Sequence, residues 1–308
     1  MPYSAEISRA NPACILMLID QSTSMGARIE GGGSKASFLA DVVNKSLYTL
    51  ITTSSKADGV RRSKAEFVSD VLNRTLYTLI TNCSKADGVR PYFDVGVLAY
   101  GGSDVATGFG GALSAGLIHP ITAVAESPIR VEGRSRKVDD GAGGVVEQKF
   151  KLPIWFEPKS SGGTPMRAAL TKAAEAAAEW CDAHPNSYPP TILHVTDGQS
   201  TDGSPENVAG ALQQLHTSDG RVLLFNLHVT AGGGQEIVFP TAEGTLFDEY
   251  SRMLFKMSSE LPPHLAKSAN DKGYPISDGS RGFIFNADPK LIVDFFTIGT
   301  QPRLVADR

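Results

Sequence analysis

The feature that most restricts the fold of this chain is a series of short, predominantly apolar runs separated by segments of helical periodicity. CILMLID (residues 14–20), YFDVGVLAY (92–100), TILHV (191–195), VLLFNLHV (222–229) and GFIF (282–285) are hydrophobic stretches of strand length. A strand with one wet face alternates polar and apolar residues, whereas a continuous apolar run is buried on both faces. Between these runs lie helical patterns at 166–184, 206–216, 246–258 and 290–296. Apolar strands alternating with amphipathic helices signal βαβ units. The expected fold is α/β: a doubly wound, mostly parallel central sheet with one antiparallel edge strand and helices on both faces.

Residues 121–157 depart from this pattern. IRVEGRSRKV and VVEQKFKLPIWFEP alternate polar and apolar residues around Gly and Asp turns, which predicts antiparallel hairpin strands at a sheet edge. Gly-rich 101–116 and residues 231–234 read as loops. No Pro- or Ser-rich linker divides the 308 residues, and 41% hydrophobic content supplies a large core. One domain over 1–308 is expected, with a loop and hairpin insertion at 101–158 and a second excursion at 231–281.

The chain also contains a tandem repeat. Residues 34–61 (SKASFLADVVNKSLYTLITTSSKADGVR) and 63–90 (SKAEFVSDVLNRTLYTLITNCSKADGVR) align at an offset of 29 with 20 identities in 28 positions. Each copy is one amphipathic helix: Phe67, Val71, Leu72, Leu76, Leu79 and Ile80 recur at helical spacing, as do Phe38, Val42, Val43, Leu47, Leu50 and Ile51. Two units are too few for a solenoid. The duplication is of a single crossover helix, and a doubly wound sheet has one slot for it, between the strand ending at Asp20 and the strand starting at Tyr92. Ser63 and Glu66 form an S-x-x-E capping box that Ser34 and Ser37 lack, which favours the second copy. The first copy keeps the shorter path from Asp20. The copy left over must bury its stripe elsewhere: on another face, in a partner, or in a swapped homo-oligomer.

Composition excludes several function classes. A net charge of −4 argues against a dedicated nucleic-acid binder. Three separated cysteines (Cys14, Cys83, Cys181) form neither a disulfide framework nor a CxxC zinc site. No apolar run reaches the ~18 residues of a membrane span, and the N-terminal stretch lacks a signal-peptide pattern, so a cytoplasmic protein with no membrane partner is expected. The six histidines show no metal spacing, and His194 and His228, inside apolar strands, read as satisfied core residues. Arg130, Arg134, Arg136 and Lys137 read as a solvated hairpin tip. Gly-rich 108–111 lacks the lysine of a phosphate loop, and no GxSxG elbow occurs.

The residues that could carry chemistry follow the apolar strands. Asp20-Gln21-Ser22-Thr23-Ser24-Met25 leaves the end of the first run with a carboxylate and two hydroxyls spaced two apart. Gly162-Gly163-Thr164-Pro165 opens a helix, with Thr164 expected at the N-cap and Pro165 at the first helical position. Thr196-Asp197-Gly198 follows TILHV. Asp202, in a second Thr-Asp-Gly, lies farther from the strand end and is expected to cap the helix near Pro205. Open α/β sheets gather ligands at the carboxyl ends of their strands, and such oxygen donors suit hard divalent cations.

DQSTSM, GGTP and TDG, in that order, resemble the metal-ion-dependent adhesion site of von Willebrand factor A (VWA) domains. The family's DxSxS maps onto Asp20, Ser22 and Ser24, its threonine onto Thr164 and its later aspartate onto Asp197; the resemblance covers roughly residues 10–300. It implies a Mg²⁺ or Mn²⁺ site with one position open to an Asp or Glu from a partner protein. It also implies a binding module with no enzymatic activity. The chain looks most like single-domain bacterial cytoplasmic VWA proteins of stress-response or tellurium-resistance systems, which sit beside kinases and phosphatases. Two alternatives remain from the residues themselves: metal-dependent phosphoester hydrolysis at the same oxygen cluster, and assembly through the spare helix.

Overall fold

In the computed structural model, residues 3–28, 63–139, 145–229, 235–246 and 248–301 are described, apart from the side chains of 136–139, 145 and 245. The first repeat copy, residues 34–61, and the loop at 231–234 lie outside them. The first apolar run forms β1 (Ala13–Asp20), buried at every position. The others form β2 (Phe93–Gly101), β7 (Thr191–Thr196), β8 (Leu223–Val229) and β10 (Phe283–Ala287). These five pair in parallel in the order β10-β8-β7-β1-β2. Antiparallel strands finish both edges of the eight-stranded sheet: β3 (Asp104–Thr107) and β4 (Ile118–Pro120) on β2, and β9 (Ile237–Val238) on β10.

Alternation along β1 divides the core in two. Ile15, Met17 and Ile19 face a layer built from α1 (Lys64–Cys83), α2 (Ile121–Glu126), α6 (Pro263–Asp271) and α7 (Pro289–Gly299). Cys14, Leu16 and Leu18 face α3 (Met166–Ala183), α4 (Glu206–Leu212) and α5 (Glu249–Lys256). The doubly wound α/β arrangement read from the sequence is the fold observed. None of the helices in the described residues is long and apolar enough to cross a membrane.

The second repeat copy occupies the slot between β1 and β2. Its start carries the expected capping box, with Ser63 N–H donating to Glu66 Oε2 at 2.8 Å and Glu66 N–H donating to Ser63 Oγ at 3.2 Å. Phe67, Val68, Val71, Leu72, Leu76 and Leu79 pack into the first layer. Arg28 and Ser63 form an isolated antiparallel bridge, so the chain leaves β1's loop and re-enters α1 at adjacent positions.

The structure corrects three local expectations. The predicted hairpin exists as β5 (Arg130–Asp139) and β6 (Val145–Ile154), but it is a two-stranded sheet of its own rather than an edge of the central one. Alternation reports one wet face and does not say what covers the other; here α1 does. Buried Asn73 accepts from Trp155 N–H (2.7 Å) and Phe156 N–H (3.0 Å) and donates to Phe156 C=O (2.9 Å), closing the chain end of β6 against the helix. Residues 101–116 are not wholly a loop, since β3 and a 3-10 turn at Gly111–Ala115 lie within them. Helix α6 inside the 231–281 excursion was not anticipated, and its buried residues Leu265 and Ala269 are too few to set a period.

Candidate functional site

In chain order the sheet is laid down from β1 outward to β2, then from β7 on the other side of β1 to β8 and β10. The reversal lies between β1 and β7, and it is at such a point, outside the carboxyl ends of the strands, that open α/β sheets take their ligands. Asp20 closes β1 and Asp197 follows β7, which brings them to the same rim.

Backbone hydrogen bonds sew the three predicted loops together. Thr23 N–H donates to Gly162 C=O (3.0 Å), Ser161 N–H to Gln21 C=O (2.8 Å), Gly102 N–H to Gly163 C=O (2.9 Å) and Thr201 N–H to Thr164 C=O (2.9 Å). This crossing demands glycine at 162: its φ is +64°, and a Cβ there would lie 2.3 Å from Gly102 Cα.

Within this frame the five predicted residues converge. Asp20, with no exposed surface, accepts from Ser22 N–H (2.8 Å) on Oδ1 and from Thr196 Oγ1 (2.8 Å) on Oδ2. Ser24 Oγ donates to Asp197 Oδ1 at 2.6 Å and lies 3.0 Å from Ser22 Oγ. The single Ser24 proton is committed to Asp197, so Ser22 is the donor between the hydroxyls. A Cβ built on Gly198 would lie 3.4 Å from Thr164 Oγ1 and 3.7 Å from Ser24 Oγ, which places those two hydroxyls around one point.

The capping roles differ from those expected. Pro165, not Thr164, is the N-cap of α3 and supplies no side-chain cap. Asp202 caps that same helix rather than the one near Pro205, accepting from Arg167 N–H (3.0 Å) and Ala168 N–H (2.8 Å). Thr164 is thereby spared a capping duty.

Electrostatically the rim carries two carboxylates. Burial raises the Asp20 carboxyl above its ordinary value; hydrogen bonds from Ser22 and Thr196 oppose the rise and neighbouring Asp197 adds to it. Added positive charge here is therefore favoured. Three hydroxyls and two carboxylates are the hard oxygen set that Mg²⁺ takes. Among the described residues there is no group of three or more His, Cys, Asp or Glu that could hold a metal, and this cluster has two.

Two residues here escaped sequence reasoning. Lys64, the first residue of α1, places Nζ 2.6 Å from Asp197 Oδ2, with 7% of its own side chain and none of Asp197's exposed. Thr196 orients Asp20. A cation at the start of a helix, where the macrodipole disfavours it, was the available signal for Lys64. Behind the rim, His194 is a satisfied core residue as expected: Asn226 donates through Nδ2 to Ser258 Oγ (2.9 Å), so its Oδ1 accepts from His194 Nδ1 (2.7 Å). His194 Nε2 then accepts from Tyr100 Oη (2.5 Å). Burial lowers the His194 pKa to about 4. His228 stacks on Phe285 and is likewise lowered by burial to about 4. Arg130 pairs with Glu132 and Glu157, and Arg134 with Asp70 and Glu132, so neither belongs to a free basic tip; the side chains of Arg136 and Lys137 lie outside the described residues.

No protein-family model matches this chain, and no curated protein matches it. Among solved structures it is similar to crystal form 2 of proximal thread matrix protein 1 from the mussel byssus. That likeness has 14% identity and a TM-score of 0.38, and covers 82% of this chain and 42% of that one. The chain thus spans less than half of that protein's length, and a likeness of this size carries no argument.

Proposed function

We propose that the protein is a VWA-type interaction module that recognises an acidic side chain of a partner protein through a divalent cation held at the β1–β7 rim. The reading is supported above all by the meeting of Ser22, Ser24 and Thr164 hydroxyls with the Asp20 and Asp197 carboxylates at the topological reversal of the sheet. When bound, Mg²⁺ or Mn²⁺ supplies an open coordination position that an external Asp or Glu fills.

The protein's own residues set the terms of that recognition. Neutral hydroxyls leave more positive charge on a cation than direct carboxylate ligands do. Asp20, with one donor on each oxygen, is fixed in orientation and keeps a lone pair on each oxygen for a cation or its water. Thr196 and the backbone of Ser22 keep that carboxylate from swinging inward. The output is binding with no bond broken, in a bacterial cytoplasmic stress or defence setting, with a kinase or phosphatase as the partner.

The test is retention of partners from native extract on immobilised protein, with Mg²⁺ and with EDTA, for the wild type and Asp20→Ala. Partners retained only by the wild type with Mg²⁺ support the reading. Equal retention by the variant, or indifference to EDTA, overturns it. Metal-dependent turnover of generic phosphoesters, expected to be nil, would favour a hydrolase.

A further inference from the structure

A buried ammonium needs a reason. Lys64 is the first residue of a 20-residue helix, where the positive end of the macrodipole repels it. Its side chain is 7% exposed, and burying a long charged chain costs both solvation and rotamer entropy. Among the described residues its ammonium has one hydrogen bond, to Asp197 Oδ2 at 2.6 Å. The same helix treats its other buried carboxylate quite differently, since Asp70 is gripped by both Arg74 and Arg134. One interaction of the helix is locked by two planar forks; the other is a point charge on a flexible stem.

Position links this ammonium to the site. Lys64 N–H donates to Ala27 C=O at 2.9 Å, directly after the 3-10 turn Thr23–Gly26 that carries Ser24. Asp197 is shared between Ser24 Oγ on Oδ1 and Lys64 Nζ on Oδ2. Asp20 and Asp197 bring two formal negative charges, and Lys64 returns one positive. A doubly charged ion at the same rim would neutralise the pair and repel the ammonium.

We propose that Lys64 is the resident counter-ion and gate of the site: its ammonium holds Asp197 and swings into solvent when a divalent cation is taken up. This rests on the cation-site reading above and assigns that site a regulator within the chain. The cation and the lysine compete for Asp197, so ion affinity is set partly by how firmly the start of α1 is seated.

Two measurements on the full chain test it. Mn²⁺ binding, followed by the electron paramagnetic resonance of the free ion, is expected to tighten at least tenfold in Lys64→Met and to be lost in Asp20→Ala. Acylation of Lys64 in the wild type by an amine-reactive reagent, read by mass spectrometry, is expected to accelerate at least fivefold at saturating Mg²⁺, with other lysines as the internal reference. The acylation arm stands if Lys64→Met fails to fold. Equal Mn²⁺ affinity in wild type and Lys64→Met, or a Lys64 that stays protected when the ion is bound, overturns the gate and leaves the cation site standing. Absence of Mn²⁺ binding in both proteins overturns the cation site, and the gate with it.

Discussion

Residues 63–90, which begin with helix α1, and residues 34–61 are two versions of one sequence, and most of the eight positions at which they differ fall where α1 meets the rest of the molecule. Glu66, which completes the capping box, stands against Ser37. Ser69, whose hydroxyl donates to Phe156 C=O at 2.9 Å, stands against Ala40. Fully buried Leu72 stands against Val43 and fully buried Cys83 against Ser54. Arg74, paired with Asp70 and lying 5.6 Å over the Phe150 ring, stands against Lys45. The shared residues include the docking Asn73 (Asn44) and the site-facing Lys64 (Lys35). The apolar stripes share their pattern and exchange Leu and Val at two positions (Leu39 against Val68, Val43 against Leu72), so the pattern suits both copies to the slot; caps and buried polar contacts favour one of them.

Two deletions of 29 residues break this comparison most directly. Removing 34–62 leaves the second copy, and removing 62–90 leaves the first, each behind the same five-residue segment 29–33. The adjacency of Arg28 and Ser63 means that segment has no gap to span. The first variant is expected to keep wild-type stability to within about 1 kcal/mol. The second forfeits a capping partner, a buried hydrogen bond and the Arg74 guanidinium (Lys45 takes its place beside Asp41), and it exchanges Val68 and Leu72 for Leu39 and Val43 in a packed layer, for a loss of roughly 3–5 kcal/mol in urea titration. Equal stability of the two would show that the differences are neutral.

Next in size is the asparagine that both copies keep. Asn73→Ala orphans the two buried N–H groups of Trp155 and Phe156, leaves the Phe156 carbonyl with Ser69 as its donor, and is expected to cost about 3 kcal/mol. Asn44→Ala, in the intact chain, is expected to leave the melting temperature unchanged by scanning calorimetry. Matching losses would mean that both helices dock in the same manner.

What was legible in the sequence follows the same division between local and long-range information. The five apolar runs marked the parallel strands, because double-sided burial is written in each run by itself. The nearness of Asp20, Ser22, Ser24 and Asp197 was legible because strand ends of a doubly wound sheet share a rim; Thr164, at the start of α3, was singled out by the resemblance and by its place before a helix. Lys64 was not, since its approach to Asp197 depends on where α1 starts and how it crosses the sheet. The cover over the β5–β6 hairpin was equally hidden, because Asn73 reads locally as a polar residue within a helix. β3 escaped notice because its four residues alternate between exposed and half-buried, with no apolar run to mark them.

Acid stability separates the buried network from the repeat. The His194 pKa is lowered by burial from 6.5 to about 4. Between those values the unfolded chain binds more protons than the folded one, so stability falls as pH drops through 6.5 and levels off near 4. At about 1.4 kcal/mol per unit, roughly 2 kcal/mol is lost between pH 7 and pH 5. Asp20, raised by burial, works in the opposite sense, because the folded state takes up its proton first as pH falls. Subtracting the profile of His194→Gln isolates the histidine. The slope is expected to be the same in both deletion variants, and a difference would mean that the network beneath the rim senses which copy is docked.

The smallest effect gives the sharpest test of the comparison. In the variant that lacks 62–90, the first copy begins Ser-Lys-Ala-Ser, so its N-terminal N–H groups lack the reciprocal bond that Glu66 provides to Ser63 in α1. Ser37→Glu restores the S-x-x-E pattern and places a negative charge in the first turn, where the macrodipole favours it. The gain expected is about 0.5–1 kcal/mol, read as a shift of the urea midpoint at unchanged slope. The same substitution in the intact chain is expected to leave that midpoint where it is, because Glu66 already caps the helix in the slot. A gain of equal size in both backgrounds would mean that the capping box plays no part in choosing between the copies, and the choice would then rest on the other seven differences, the buried Val68, Ser69, Leu72, Arg74, Thr75 and Cys83 among them.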